Sequence, residues 1–510
     1  MSLSKQNLLE LQNGSDIRGV AMAGVDGEEI TLTDEAINRI AGAFVHWLAD
    51  RSEKDISQIK IGVGHDSRIS AERFKVQVLK AVTSLKANAF DCGLASTPAM
   101  FMSTIFPELN FDGAIMLTAS HLPYNRNGMK FFTKVGGLEK TEITELLDSS
   151  VSCPTGETDI KRVDKVNLIE IYSTSLCGKI CKSIDSCDKE KPLEGLHIIV
   201  DAGNGAGGFF ATQVLEKLGA DISGSQFLEP DGYFPNHIPN PEDEKAMLSL
   251  QNAVLQSKAD LGIIFDTDVD RMSAVLKDGT VVSRNAIIAM MAAIVAREAP
   301  DSTIVTDSVT SDMLTEFIEK DLGLKHRRFK RGYKNVINEC IRLNNSGVLS
   351  PLAIETSGHG ALKENYYLDD GSYLAVKIII EAVHLKLQHK ELSALIARLK
   401  HPYADYEFRM KILDTDFHTY GQYILAAFEK CAREKGLFVV PNSYEGVRIA
   451  FSGETIQGWA LLRTSLHDPV MALNIEGHRA GDCKKILDLV KKLLETCVRL
   501  DKNTLDVLVV

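Results

Sequence analysis

A chain of 510 residues exceeds what one hydrophobic core usually serves, so several domains are expected. Hydrophobic residues make up 45% and charged residues 25%, as in folded globular proteins, which excludes extensive disorder. A formal net charge of -12 argues against nucleic acid or an anionic membrane surface as partner. An anionic ligand would need cations gathered locally against that field.

Met1 to Gly14 carries no apolar signal core, and no apolar run reaches membrane-spanning length. Nine widely scattered cysteines fit a reducing compartment. The expected location is the cytoplasm, or an organelle if a transit peptide has been removed. Cys177, Cys181 and Cys187 lack both paired spacing and a nearby histidine, which disfavours zinc.

In chain order, Gly14 to Gly19 is a glycine-bounded loop carrying Arg18. Thr33 is a predicted N-cap before Asp34 and Glu35, and Ile37, Ile40, Ala41, Phe44 and Leu48 trace one helix face. A layout then occurs three times. A short apolar strand ends in a turn with an aspartate: Ile59–Val63 before Asp66, Leu196–Val200 before Asp201, Ser302–Val305 before Asp307. A helical segment follows, then a second apolar strand ending in a chemically loaded loop. Gly113–Leu117 leads to Thr118-Ala119-Ser120-His121, Leu261–Phe265 to Asp266-Thr267-Asp268-Val269-Asp270-Arg271, and Pro351–Ile354 to Glu355-Thr356-Ser357-Gly358-His359. Three such units predict three similar α/β domains with functional loops at strand carboxyl ends. After Lys400 the pattern changes to strands at Glu407–Ile412 and Val447–Phe451, a smaller α+β domain. A final amphipathic stretch opens at Asp482, with Ile486, Val490, Leu493, Leu494, Cys497 and Val498 as its apolar stripe. The expected boundaries are 1–165, 166–280, 281–400 and 401–510.

Ser120, at the end of a buried strand beside His121, is placed as a nucleophile or phosphorylation site, with Lys130 ten residues on. Asp266, Asp268 and Asp270 alternate, so an extended backbone would turn all three carboxylates to one side, a set of hard oxygens suited to Mg²⁺. Glu355, Ser357 and His359 suit sugar hydroxyls. Arg463 and Ser465 suit a phosphate, with Tyr333 and Lys334 in a further glycine-containing loop.

Together and in this order, S-D-I-R-G, T-A-S-H, D-T-D-V-D-R, R-G-Y-K, E-T-S-G-H and R-T-S resemble the α-D-phosphohexomutase superfamily, closest to its phosphomannomutase/phosphoglucomutase branch. The resemblance implies three α/β domains and a smaller fourth around a central cleft. It implies Ser120 as the phosphoserine, Mg²⁺ on Ser120, Asp266, Asp268 and Asp270, and Arg18, Lys130, His121, Arg271 and His359 about the transferred group. It also implies Glu355, Ser357, Tyr333 and Lys334 on the sugar, and Arg463, Ser465 and His467 on the second phosphate. The reaction implied interconverts hexose 1- and 6-phosphates, with a hexose 1,6-bisphosphate as intermediate and activator, in a monomer or homodimer. A phosphoglucosamine mutase is an alternative. The chain departs from the family where Leu466, His467 and Asp468 replace a Gly-Thr-Glu segment and Ala472 replaces an arginine. Arg448 or His467 is the expected compensation. Two rival readings are an aspartyl-phosphate phosphatase, with Asp266 as nucleophile and Asp369-Asp370 as a second acidic pair, and a catalytically degenerate binding protein.

Overall fold

The computed structural model describes residues 4–156, 160, 163–184, 190–465 and 468–506. They fall into two compact units, one of Met1–Ile294 with Ser357–Leu395, the other of Val295–Thr356 with Ile396–Val510.

In the first unit, strand Lys60–His65 runs parallel to Asn88–Leu94 on one side and to Gly113–Leu117 on the other. Apolar runs buried on both faces belong in such central positions, because helices cover both sides of the sheet. Thr33 caps the helix Asp34–Ser52 as expected, and Ile37, Ile40, Ala41, Phe44 and Leu48 join the core below the sheet. From Gly113–Leu117 the chain returns antiparallel as Arg126–Thr133, which pairs with Asp16–Val20. Arg18 and Lys130 are thereby brought onto neighbouring strands. Gly128 faces Arg18 across that pair, and a Cβ there would sit 2.1 Å from the Ile17 carbonyl oxygen, so only glycine fits.

A second sheet repeats the plan. Ile198–Asp201 is parallel to Leu261–Phe265, whose chain returns antiparallel as Met272–Leu276. In the second unit, Thr303–Thr306 is parallel to Leu352–Ile354 and to Lys325–Arg328. The threefold layout is therefore real. In each case the first strand leads to a fully buried aspartate, Asp66, Asp201 or Asp307, and the second to the loaded loop.

The last part of the second unit is a five-stranded antiparallel sheet of Ala404–Lys411, Val470–Gly477, Gln457–Thr464, Val447–Ser452 and Phe438–Val439, packed on helices Phe417–Glu434 and Asp482–Leu493. It is the α+β domain expected. The final stripe needs one correction. The helix stops at Leu493, the chain turns, and Val498 is 80% exposed while Cys497 stays buried. Cys177 and Cys181 lie on helix Leu168–Ser183, while Cys187 is outside the described residues. Among the described residues no helix is long and apolar enough to cross a membrane.

Candidate active site

The Thr118-Ala119-Ser120-His121 loop leaves strand Gly113–Leu117 with Ser120 at φ 51°, a left-handed conformation that costs a non-glycine residue roughly 1 kcal/mol or more. What holds it there is Arg68, whose side chain is fully buried. Its guanidinium donates to the Ser120 carbonyl, to the Leu122 and Pro123 carbonyls at 2.7 Å each, and to that of Arg126 at 3.0 Å. Asp66 balances its charge at 3.2 Å. A planar five-donor fork matches such a ring of carbonyls, which a lysine could not. Sequence reasoning noticed Asp66 and missed Arg68.

So held, the buried Ser120 hydroxyl donates to Asp266 Oδ2 at 2.9 Å and lies 3.3 Å from both Arg271 Nη2 and His121 Nδ1. Arg271 also donates through Nε to Asp266 Oδ2 at 3.0 Å. The aspartates are not on an extended segment, contrary to expectation. The chain turns after Phe265, and Val269 adopts φ 69°. The turn still converges them: one carboxylate oxygen from each of Asp266, Asp268 and Asp270 lies within 4.8 Å of the others. Lys130 Nζ bridges Asp268 Oδ2 at 2.9 Å and Asp270 Oδ2 at 2.5 Å, and the Thr97 hydroxyl donates to Asp268 Oδ2 at 2.5 Å. Asp268 Oδ1 and Asp270 Oδ1 are buried and accept no hydrogen bond. Two orphaned carboxylate oxygens in a cluster of three carboxylates fit a hard divalent cation.

Burial, then the neighbouring Asp270, raises the Asp266 carboxyl to about 8. Burial alone would raise Asp270 too, but Lys130, His359 and Arg271 outweigh it and hold it below the ordinary carboxylate range. His121 is pushed down to about 2 by burial and then by Arg271 and Arg18, so its ring is neutral. Burial opposes charge on His359, yet Asp369 and Asp270 raise it to about 9. Its Nδ1 lies 2.5 Å from Asp369 Oδ2 and 3.7 Å from Asp270 Oδ1. Arg18 pairs with Asp16 at 3.0 Å. Ser357 also belongs to this unit, with a buried Oγ that has no hydrogen-bond partner. Asp370 is spent on structure: it caps helix Gly371–Leu387 and accepts from Tyr172 at 2.7 Å.

In the second unit, Glu355 accepts the Gly332 N–H at 2.7 Å, and half-buried Tyr333 and Lys334 open helix Tyr333–Asn345. Arg463, 8% exposed, lies 3.5 Å from Glu407 and 3.7 Å from Glu445. Ser465 Oγ accepts the Asp468 N–H at 3.3 Å. His467 lies outside the described residues. Arg448 does not serve as a substitute cation. Its guanidinium is buried 3.7 Å from the Trp459 ring centroid, paired with Asp312 at 2.9 Å, and donates to the Ser308 and Thr310 carbonyls.

Three domain models of phosphoglucomutase/phosphomannomutase, α/β/α domains I, II and III, match residues 10–152, 176–279 and 283–403. The phosphoglucosamine mutase of Bifidobacterium longum is 30% identical over 393 residues, covering 73% of this chain and 81% of that protein. The chain belongs to the phosphohexomutase family. A phosphomannomutase/phosphoglucomutase of Pseudomonas putida is 29% identical over 441 residues, 85% of this chain and 87% of that protein. The crystal structure of a phosphoglucomutase/phosphomannomutase family protein from Burkholderia thailandensis shares the fold of this phosphohexomutase-family chain, with TM-score 0.77 at 23% identity over 97% of this chain and 98% of that one. Membership removes the aspartyl-phosphate phosphatase reading, and the engagement of Asp370 in helix capping agrees.

Proposed function

We propose that this chain interconverts the 1- and 6-phosphates of a hexose, glucose or mannose, through a phosphoryl group carried on Ser120. The observation that carries the reading is the Ser120 hydroxyl, 2.9 Å from Asp266 and 3.3 Å from Arg271, at the edge of three convergent aspartates. Asp266, Asp268 and Asp270 would hold Mg²⁺ beside Ser120. The chemistry a bound Mg²⁺ supplies is neutralisation of charge on the transferring group.

The protein's own groups do the rest. Phospho-Ser120 gives its phosphoryl to the free hydroxyl of a hexose 1-phosphate, its Oγ–P bond breaking as the new O–P bond forms, to yield a hexose 1,6-bisphosphate. The bisphosphate reverses, and its other phosphoryl returns to Ser120. Arg271 and Arg18 offset the negative charge of the group in transit, while Lys130 or His359 exchanges a proton with the sugar hydroxyl. Glu355, Ser357, Tyr333 and Lys334 are assigned to the sugar, Arg463, Ser465 and His467 to the phosphate that is not being transferred. Hexose 1,6-bisphosphate would prime dephosphorylated enzyme. We place the protein in the cytoplasm, as a monomer or homodimer, with domains as bounded above.

Relatives named phosphomannomutase/phosphoglucomutase support glucose and mannose; the Bifidobacterium relative adds glucosamine to any assay. The test is mass spectrometry after incubation with Mg²⁺ and glucose 1,6-bisphosphate. An acid-stable phosphate on Ser120, absent from Ser120→Ala, is expected; an unmodified Ser120 under turnover conditions contradicts the reading.

A further inference from the structure

Strand Asn88–Leu94 runs parallel to Lys60–His65, so the turn after it lies at the same sheet edge as the loaded loops. Thr97 follows that turn and stands outside every motif of the resemblance. The Ala95 N–H donates to the His65 carbonyl at 2.8 Å, and Ser96 caps the short helix Thr97–Met102 by accepting the Ala99 N–H at 3.2 Å. Thr97 is thereby fixed at the first helical position, and it is buried. It reaches the metal loop twice. Its N–H donates to the Asp268 carbonyl at 2.8 Å, and its hydroxyl donates to Asp268 Oδ2 at 2.5 Å. One residue therefore holds both the main chain and the carboxylate of Asp268.

Lys130 Nζ donates to the same Asp268 oxygen at 2.9 Å and to Asp270 Oδ2 at 2.5 Å. Asp266 Oδ1 accepts the Arg271 N–H at 3.2 Å. Each aspartate thus has one oxygen pinned by the protein. Three others remain: Asp266 Oδ2, beside the Ser120 hydroxyl and Arg271 Nε, and the buried Asp268 Oδ1 and Asp270 Oδ1, which accept no hydrogen bond. Asp270 Oδ1 comes only within 3.7 Å of His359 Nδ1. A carboxylate with one oxygen pinned offers a cation one ligand atom, not two. Single oxygens at fixed positions suit Mg²⁺, which demands an octahedral set at about 2.1 Å and keeps several waters. Ca²⁺ takes roughly six to eight oxygens at about 2.4 Å and gains most from carboxylates free to turn both oxygens toward it.

We infer that Thr97 is a positioning residue that locks Asp268 as a one-oxygen ligand, and that this lock makes the aspartate cluster select Mg²⁺ over Ca²⁺. The inference rests on the metal assignment in the mutase reading and adds to it the device that chooses the ion. Without the hydroxyl, Asp268 keeps Lys130 but its carboxylate can turn, and the larger ion gains relative to the smaller one.

The test is calorimetric titration of Mg²⁺ and of Ca²⁺ into the full chain as wild type, Thr97→Val and Thr97→Ser. Valine is close to threonine in shape and keeps the N–H, while serine keeps the hydroxyl; urea midpoints in metal-free buffer check the fold of each. Wild type is expected to bind Mg²⁺ about tenfold or more tightly than Ca²⁺. Thr97→Val is expected to lose about tenfold in Mg²⁺ affinity with Ca²⁺ unchanged or tighter, and Thr97→Ser to keep the wild-type ratio within about twofold. Equal affinity of wild type for the two ions overturns the inference without need of a variant. So does a Thr97→Val protein whose ratio matches wild type, including one in which both affinities fall together, as a merely structural role would give; the mutase reading then stands and the lock alone is removed. Wild type that binds neither ion removes the metal assignment, and the inference with it.

Discussion

The Ser120 hydroxyl donates to Asp266 Oδ2 across 2.9 Å, joining two loops 146 residues apart in the chain. Each loop ends a strand of its own parallel pair, and the contact forms within one compact unit.

The Ser120 end of this contact depends on Arg68. With Arg68→Lys the positive charge remains but the fork on the loop carbonyls is lost, so Ser120 relaxes from φ 51° and its hydroxyl drifts. A misplacement of that kind should lower kcat by about 10- to 100-fold while KM changes little. Steady-state kinetics with the phosphoserine content of each preparation checks this; an unchanged kcat would show the loop holds itself.

At the Asp266 end, removal of one carboxylate charge from the triad should be felt as loss of metal. Asp268→Asn is expected to abolish calorimetric binding of Mg²⁺ and to lower kcat by about 100-fold or more, and chelation of the wild type should do the same reversibly. Retained activity in metal-free buffer would contradict the assignment.

Arg448→Ala separates stability from binding. The substitution leaves Asp312 to Arg328 alone, at 2.8 Å, strips the donor from the Ser308 and Thr310 carbonyls and removes the guanidinium stacked on Trp459, so a loss of about 2 kcal/mol is expected in urea unfolding. KM should stay unchanged, because the Arg448 guanidinium is committed to Asp312 and to the Ser308 and Thr310 carbonyls. A raised KM with intact stability would restore it as a ligand-binding cation.

His237 provides a test by pH, away from the chemistry. Its Nε2 is 3.0 Å from both Asp201 oxygens; burial disfavours its charge, but the hydrogen bond and charge of Asp201 outweigh burial and raise its pKa. A group raised on folding stabilises fully below its unfolded pKa and loses that contribution as pH climbs through the folded value. His237→Gln should therefore cost more stability at pH 6 than at pH 9. Urea midpoints at both values decide, and an equal cost would mean the pair carries no charge.

Much of this was legible in the residues. The three strand-and-loop units show because buried parallel strands are apolar runs, and their loops stand out at the carboxyl ends. Ser120, Lys130 and the three aspartates follow, since each carries its chemistry in its own side chain. Arg68 was invisible because its partners are main-chain carbonyls, which leave no mark in a sequence. Glu407 was invisible for another reason: it meets Arg463 only through the register of three strands. Arg448 was misread because an arginine near a phosphate motif reads as a ligand until Trp459 and Asp312 are seen to hold it. The acidic run was read correctly as convergent but for the wrong cause, a turn at Val269 in place of strand alternation.

The central claim is mutase chemistry on Ser120, and ³¹P NMR tests it most directly. The protein is incubated with Mg²⁺, a trace of glucose 1,6-bisphosphate and, in turn, the 1-phosphates of glucose, mannose and glucosamine. Growth of a hexose 6-phosphate resonance, lost in Ser120→Ala, is the predicted result, fastest with glucose or mannose. Orthophosphate in its place, or three unchanged spectra from protein phosphorylated on Ser120, would contradict it.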